Sequence, residues 1–414
     1  MHFISAIALR GSSTIWPDAT MGRLPQLVAR LADSSIKVHA KWDKRPRHMK
    51  DAVIGSERIR YALSQDGTQI AWAVSGQGPT LVWAPNNYTS IVEDWANPIR
   101  APLLRALTPH FRVIRYDHRG FGSSSRDVSD QSLTAWQSDL AAVIDAAHPQ
   151  GSVAILGMSQ GAAAAVAFAA EHPDRVSRLI LHGSTPFGPG HAQSSAVRSY
   201  YDGMVEATRG GWSSRNSSFR MWMSAGLLSD ATPDEIAWFD AFFSRCAEAS
   251  DAVCFLHGWK IMDARPHLAK IAVPTLVMHN SGDELSPPSL GRQTAALIPA
   301  AVYVALDGIH HVPRPDDGTL TALISEILRF TETESVAPPR KKALTAREFG
   351  ILTCLSEGKS NAAIAEYLGI AEKTVRNHLT SIYDKLGVTS RTQAVLAALG
   401  EALSDQRGRR SSLC

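Results

Sequence analysis

The sequence predicts an α/β protein in two parts: a mostly parallel sheet covered by helices on both faces, and a small all-α unit after it. Short apolar runs alternate with helical patterns from residue 58 to about 330, and the pattern from Leu344 onward is purely helical. At 414 residues the chain is longer than one core usually fills. A hydrophobic content of 44% and a charged content of 20% exclude a largely disordered chain.

The charge is distributed unevenly along the chain. Residues 336–414 contain twelve Lys and Arg against seven Asp and Glu, so with a total of +3 the preceding residues carry about −2. A basic end on a mildly acidic body favours contact with nucleic acid.

The cysteine pattern and the apolar runs bear on compartment and cofactors. The cysteines have neither metal-ligand spacing nor the density of a disulfide framework: Cys246, Cys254, Cys354 and Cys414. No apolar run approaches the roughly 18 residues that would span a bilayer, and the first residues lack the features of a signal peptide. We therefore expect a cytoplasmic protein that needs no metal or cofactor and has no membrane contact.

Residues 1–57 show no sustained hydrophobic period and stay unassigned. Two interpretations are open for this segment. It contains a weak helix at "RLPQLVARLA", or it is an extension that precedes a true start at Met49.

The first elements of the sheet unit, residues 58–330, are two alternating runs joined around Asp66-Gly67, which predicts a β-hairpin. Helical patterns then follow in "SLTAWQSDLAAVIDAA", after Ser159 and in "TLTALISEILRFTE". The remaining strands are predicted in "TLVWAP", "FRVIRYD", "SVAILG", "VSRLILHGS", "PTLVMHNSGD" and "AVYVALDG".

The alternation stops between about residues 186 and 268, where aromatic residues become frequent. This segment is predicted to be a helical insertion that covers the sheet. Its aromatic side chains either pack the insertion helices together or line an apolar pocket for an acyl or aromatic group. The proline-containing and basic stretch at 331–343 is predicted to be a linker.

The stretch "GMSQG" places Ser159 between two glycines where an apolar strand meets a helix. This G-x-S-x-G pattern is typical of a nucleophile elbow, a tight turn that exposes the serine at the carboxyl edge of a sheet. Gly157 and Gly161 suit it because a side chain at either position would crowd the turn.

A nucleophilic serine needs a base, and the base needs a carboxylate to orient it. Asp283 follows a predicted strand and His311 follows the last one, in the expected order. Glu284 is an alternative to Asp283 as the acid, and His310 is an alternative to His311 as the base.

These motifs resemble those of the α/β-hydrolases of the esterase, lipase and haloperoxidase-like kind. The similarity covers residues 58–330 and rests on "VIRYDHRGFGSSS", "GMSQG", "PTLVMHNSGD" and "LDGIHHVP". It implies that Ser159, Asp283 and His311 are catalytic, with His311 preferred to His310. It also implies that the backbone amides of Asn87 and Gln160 form an oxyanion hole, although Asn86 and Asn87 stand where relatives commonly have a glycine.

Residues 344–402 show helix starts and stops in quick succession. Thr345 with Glu348 forms a capping box, Ser360 caps the second helix, and Gly369 ends it. Two short helices joined by a glycine turn, the second with basic and amide side chains on its free face, suit insertion into the major groove.

This stretch resembles the LuxR-type helix-turn-helix, on "LTARE", "SNAAIAEYLGI", "KTVRNHL", "KLGV" and "SRTQAV". The resemblance implies a homodimer on double-stranded DNA. It implies that Arg376, Asn377 and Thr380 face base edges. It implies phosphate contacts for Lys373, Thr374 and Lys385. Residues 403–414 would form a basic tail.

Three functions are compatible with this combination. The first is a transcription regulator whose hydrolase-like part binds and cleaves a small ester or acyl ligand. The second is an ordinary serine hydrolase with an accessory DNA-binding tail. The third is a regulator whose hydrolase-like part is a catalytically silent receptor.

Overall fold

The sheet and helices are described from a computed structural model. It describes residues 57–332 and 344–386, together with 391 and 394, except for 87, 149, 193, 214–218, 222, 224–230 and 357. The predicted helix "RLPQLVARLA", most of the linker and the basic tail lie outside these residues.

Eight strands of the described chain form one sheet in the order β1-β2-β4-β3-β5-β6-β7-β8. The first strand pairs antiparallel with the second and the second antiparallel with the fourth, whereas all other neighbours are parallel. The strands are β1 Arg60–Leu63, β2 Gln69–Ser75, β3 Thr80–Ala84, β4 Arg112–Tyr116, β5 Val153–Met158, β6 Val176–His182, β7 Thr275–Asn280 and β8 Val302–Leu306. The prediction of a mostly parallel sheet is confirmed.

The opening hairpin forms as the sequence predicts. Leu63 pairs with Gln69, and the connection turns at Gly67, whose φ of +85° is accessible to glycine without strain. The amide of Thr68 donates to the Asp66 carboxylate at 3.0 Å, which closes the turn.

Helices cover both faces of the sheet. Successive side chains of β3 point to opposite faces, so Leu81 and Trp83 join one apolar cluster while Val82 and Ala84 join the other. The helices of the sheet unit outside the insertion are α1 Arg100–Leu107, α2 Leu133–Ala147, α3 Gly161–Glu171, α8 Pro288–Leu297 and α9 Thr319–Glu332. The last of these, α9, extends two residues into the predicted linker.

A helical insertion separates β6 from β7. It contains α4 Ser195–Gly211, α5 Pro233–Cys246, α6 Ala249–Ile261 and the single turn α7 Arg265–Leu268. Its buried aromatic side chains pack against one another and against Tyr88: Trp212, Phe239, Phe242, Phe243 and Phe255. These rings therefore pack the insertion together and against the loop that carries Tyr88.

The helical unit consists of α10 Ala346–Ser356, α11 Asn361–Leu368 and α12 Glu372–Leu386. The Ser360 hydroxyl accepts from the amide of Ala363 at 3.2 Å, and Gly369 adopts the left-handed conformation that ends α11. Its core includes Ile364, Val375 and Ile382. Among the helices in the described part of the chain, none has the length and apolarity to cross a membrane.

Candidate functional site

The Ser159 turn lies between β5 and α3 at the carboxyl edge of the sheet. Ser159 has a φ of +49°, a conformation that a residue with a side chain adopts only under constraint. Its amide donates to the carbonyl of His182 at 2.9 Å. A Cβ at Gly157 would lie 2.7 Å from Cα of Ala162, and one at Gly161 would lie 2.5 Å from the carbonyl oxygen of Pro85. Both glycines are therefore required by close backbone approach.

The structure brings three of the predicted site residues together. His311 Nε2 lies 3.0 Å from the Ser159 Oγ, and His311 Nδ1 lies 2.7 Å from Oδ2 of Asp283. The other oxygen of Asp283 accepts from the amides of Leu285 and Ser286 at 3.0 and 2.9 Å. Because a carboxylate only accepts, His311 carries its proton on Nδ1, which leaves Nε2 able to accept the serine proton.

Burial and charge act in opposite directions on this pair. Burial disfavours the ionised form of Asp283, but the interaction with His311 and the hydrogen bonds from two histidines outweigh it and hold the Asp283 pKa far below its usual value. Burial likewise lowers the His311 pKa, while the charge of Asp283 raises it by more, so the net direction is upward. The acid is thus ionised and the base is strengthened.

The competing residues occupy other positions. Glu284 is exposed, whereas Asp283 is buried and bonded to the histidine. The backbone carbonyl of His310 accepts from the side-chain amide of Asn280 at 2.6 Å, and this contact anchors the loop that carries His311.

Of the two residues predicted to form an oxyanion hole, the structure describes one. Asn87 lies outside the described residues, and Gln160 directly follows Ser159 as the N-cap of α3, so its backbone amide lies at the positive end of a helix dipole.

The loop before Asn87 is held by a buried arginine that the sequence analysis did not identify. Arg100 donates to the Asn86 side chain at 3.0 Å, and its guanidinium lies 4.1 Å from the centroid of the Trp83 ring. Asp94 accepts from both Arg100 and Arg115. In the sequence, the signal for this network was Arg115, a charged residue inside the apolar run "FRVIRYD".

The exposed face of α12 carries most of the predicted DNA contacts. Lys373, Arg376, Asn377 and Thr380 are exposed and Thr374 is half-buried, while the opposite face packs into the core. Arg376 is 63% exposed and lies 3.8 Å from Glu372, a surface pair too weak to hold it.

Lys385, the last predicted phosphate contact, has a partner within the helical unit. Its ammonium lies 2.6 Å from Glu348 in α10, and its side chain is only 16% exposed. Glu348 also accepts from Ser381 and from the amide of Thr345 at 2.6 Å each. Burial opposes ionisation of Glu348, but these contacts outweigh it and lower the pKa to about 2. Lys385 is engaged in the helical unit, and its contact with a phosphate stays a prediction.

The comparisons with known proteins identify both parts of the chain. A family model described as the alpha/beta hydrolase fold matches residues 88–313, more than half of the chain. The chain belongs to the α/β-hydrolase fold family. A second model, described as bacterial regulatory proteins of the luxR family, matches residues 342–398.

Individual similar proteins cover different shares of this chain, an α/β hydrolase joined to a LuxR-type unit. A hydrolase from Pseudomonas aeruginosa PA01 has 26% identity and a TM-score of 0.55, and the match covers 67% of this chain and 100% of that one. Polyketide synthase ThaQ of Burkholderia thailandensis is 28% identical over 63% of this chain and 12% of its own length. Transcriptional regulatory protein DegU of Brevibacillus brevis is 46% identical over 25% of this chain and 47% of its own length. The chain thus spans less than half of the length of each of these two curated relatives.

The Glu348–Lys385 pair predicts a large effect on the stability of the LuxR-type unit. Lys385→Met should destabilise it by about 3 kcal/mol, because the change leaves the buried Glu348 charge unpaired. Hydrogen exchange of peptides from residues 344–386 in the full chain measures this loss. Lys373→Met on the exposed face is the control, and adding Glu348→Gln to Lys385→Met should restore part of the loss. Unchanged exchange in Lys385→Met would show that the pair contributes nothing.

Proposed function

We propose that this chain is a DNA-binding transcriptional regulator whose α/β-hydrolase domain binds and hydrolyses a small ester or acyl ligand. Ser159 is the nucleophile, His311 the general base and Asp283 the acid that orients it. The observation that carries the proposal is the continuous hydrogen-bonded path from Ser159 through His311 to the buried carboxylate.

The proposed chemistry follows from the donors and acceptors in this path. Nε2 of His311 takes the Ser159 proton as the serine oxygen attacks the acyl carbon. The same nitrogen then gives that proton to the leaving alcohol as the carbonyl–oxygen bond breaks. A water molecule, deprotonated by His311, hydrolyses the acyl-serine in the second half of the cycle. Asp283 stabilises the imidazolium that forms in each step.

The amide of Gln160 and that of Asn87 are proposed to bind the developing oxyanion. Support comes from the close packing of the 84–86 loop on the N-terminus of α3, where a Cβ at Gly161 would meet both Ala84 and Pro85. Arg100, which donates to the Asn86 side chain, anchors this loop.

On the DNA side, we propose that Arg376, Asn377 and Thr380 read bases and that Lys373 and Thr374 contact phosphates. The family match of residues 342–398 implies DNA binding, and these side chains lie on the free face of α12. One such unit reads only a half-site, which supports binding as a homodimer.

The regulatory role predicts that occupancy of the serine site changes DNA affinity. Helix α9 ends at Glu332 and α10 begins at Ala346, so the intervening chain can span at most about 45 Å even when fully extended. The two units therefore stay close to each other, and coupling of this kind is typically worth 1–3 kcal/mol, roughly 5-fold to 150-fold in affinity.

DNA fragments selected in vitro by the full chain provide the probe. Their affinity is measured for the unmodified protein, for protein phosphonylated at Ser159 by a fluorophosphonate with loss of fluoride, and for Ser159→Ala with the unreacted substrate. A shift that needs Ser159 means that the reaction is the signal, and a shift retained in Ser159→Ala favours a receptor. Equal affinities in all three states would favour an ordinary hydrolase with an accessory DNA-binding unit.

A further inference from the structure

A second histidine lies against the carboxylate of Asp283. His279 is on β7, is 0% exposed, and its Nε2 lies 3.2 Å from the same Oδ2 that contacts His311. The same nitrogen lies 2.7 Å from the carbonyl oxygen of Ser286. The sequence analysis did not single out this residue.

The two neighbouring oxygens determine which nitrogen of the His279 ring carries a hydrogen. A backbone carbonyl and a carboxylate both accept, so Nε2 carries a hydrogen; its hydrogen bond goes to the Ser286 carbonyl, and Oδ2 of Asp283 lies 3.2 Å from the same nitrogen. Within the described part of the chain, Nδ1 of His279 is buried without a hydrogen-bond partner. His279 therefore holds its Nε2 hydrogen against both Ser286 and Asp283.

The packing around His279 leaves the ring one position. A Cβ at Gly291 on α8 would lie 2.3 Å from Nδ1, so α8 approaches the ring at a glycine. The backbone amides of Leu285 and Ser286 hold the other oxygen of Asp283. Groups other than His311 thus contact both oxygens of the Asp283 carboxylate.

We propose that His279 is a positioning residue for the Ser159 site, which orients Asp283 and moderates how strongly that carboxylate attracts the proton of His311. The proposal rests on the function proposed above. His279 acts through Asp283 and touches neither the serine nor the substrate.

The direction of the effect follows from the sharing of Oδ2. A donor on this oxygen withdraws part of its negative charge from His311, so removal of the donor should raise the pKa of His311 further. The other titratable groups around the pair are His182 on β6, His310 in the same loop and the exposed Glu284. Burial, together with His279 and His311, lowers the pKa of His182 to about 3, so His182 stays neutral in the range of interest.

The experiment measures the rate of fluorophosphonate labelling of the full chain from pH 5 to pH 9. In His279→Leu we expect at least a tenfold lower rate at the optimum, because the base is no longer held in line. We also expect its acidic limb to move to higher pH. His279→Gln, whose side-chain amide can replace the Nε2 donor, should recover most of both properties.

Gly291→Ala provides a second variant that keeps the imidazole and displaces it, and it should also lower the rate and alter the pH profile. Gly203→Ala in α4, where a Cβ would meet nothing within 4 Å, is the matched control. Thermal unfolding identifies variants that fail to fold. If His279→Leu does not fold, the labelling rates and pH profiles of Gly291→Ala and His279→Gln are compared with those of the wild type instead.

The outcomes separate this proposal from the proposed function. Folded His279→Leu or Gly291→Ala with the wild-type rate and pH profile would overturn the role of His279. Absence of labelling in the wild-type protein would instead refute the serine hydrolase chemistry. In that case, NMR titration of His311 in histidine-labelled protein still measures its coupling to His279. We expect the pKa of His311 to be higher in His279→Leu than in the wild type, and an unchanged pKa would count against the proposal.

Discussion

Ser159→Ala should abolish covalent labelling by a fluorophosphonate and lower ester hydrolysis by roughly four to six orders of magnitude. The hydroxyl that His311 contacts at 3.0 Å is the only group this change removes. His311→Gln should cost a similar factor, because neither residue acts without the other. Since the His311 pKa is raised, protonation should disable the base at a higher pH than for a free imidazole, so the wild-type rate should fall on the acidic side.

Ser184→Ala is the matched control for this experiment. Ser184 is 1% exposed and lies just beyond β6, and within the described residues its hydroxyl has no hydrogen-bond partner. Its replacement should leave labelling intact. Equal labelling of the wild type and Ser159→Ala would refute the nucleophile assignment, and a wild-type protein that binds ligand without labelling would favour the silent receptor.

Arg376→Ala should weaken binding to a selected DNA site by about 1–3 kcal/mol and relax the base preference at one position. The side chain is 63% exposed on α12, and its contact with Glu372 at 3.8 Å is easily exchanged for a base edge. Fluorescence anisotropy titrations against the selected site and single-base variants measure both effects.

Arg209→Ala is the corresponding control in the hydrolase unit. Arg209 is 58% exposed and lies 3.5 Å from Glu206 on the same helix, so it matches the surroundings of Arg376 without belonging to the LuxR-type unit. Lys373→Ala should weaken binding to all DNA sequences alike and reduce the salt dependence of that binding. Unchanged affinity and preference in Arg376→Ala would show that α12 docks differently.

The main elements of the fold were predictable because their patterns are local. Apolar runs bounded by turns located the strands, and the Asp66–Gly67 turn and the Ser360 cap formed as expected from hydrogen bonds within a few residues. Helices α1 and α8 were not predicted. Their apolar residues acquire a role only when they pack on the sheet, for example Leu103 and Leu104 against one of its faces.

The candidate site was predictable at Ser159 and less so at its partners. The G-x-S-x-G pattern is a local requirement of the turn, and both glycines are explained by contacts of less than 3 Å. Asp283 and His311 could be proposed, but Glu284 and His310 remained alternatives until the burial and hydrogen bonds of each were known.

By itself the sequence determined the α/β class, the two-part organisation and the likeness to two families, since periodicity, turn residues and motifs are properties of neighbouring residues. Only the tertiary structure decided that Lys385 pairs with Glu348, that Arg100 holds Asn86, and that His279 shares a carboxylate with His311. The partners in these contacts are separated by up to 37 residues along the chain. Buried polar groups must find hydrogen bonds wherever packing places them, and that placement depends on how strands and helices from distant segments meet.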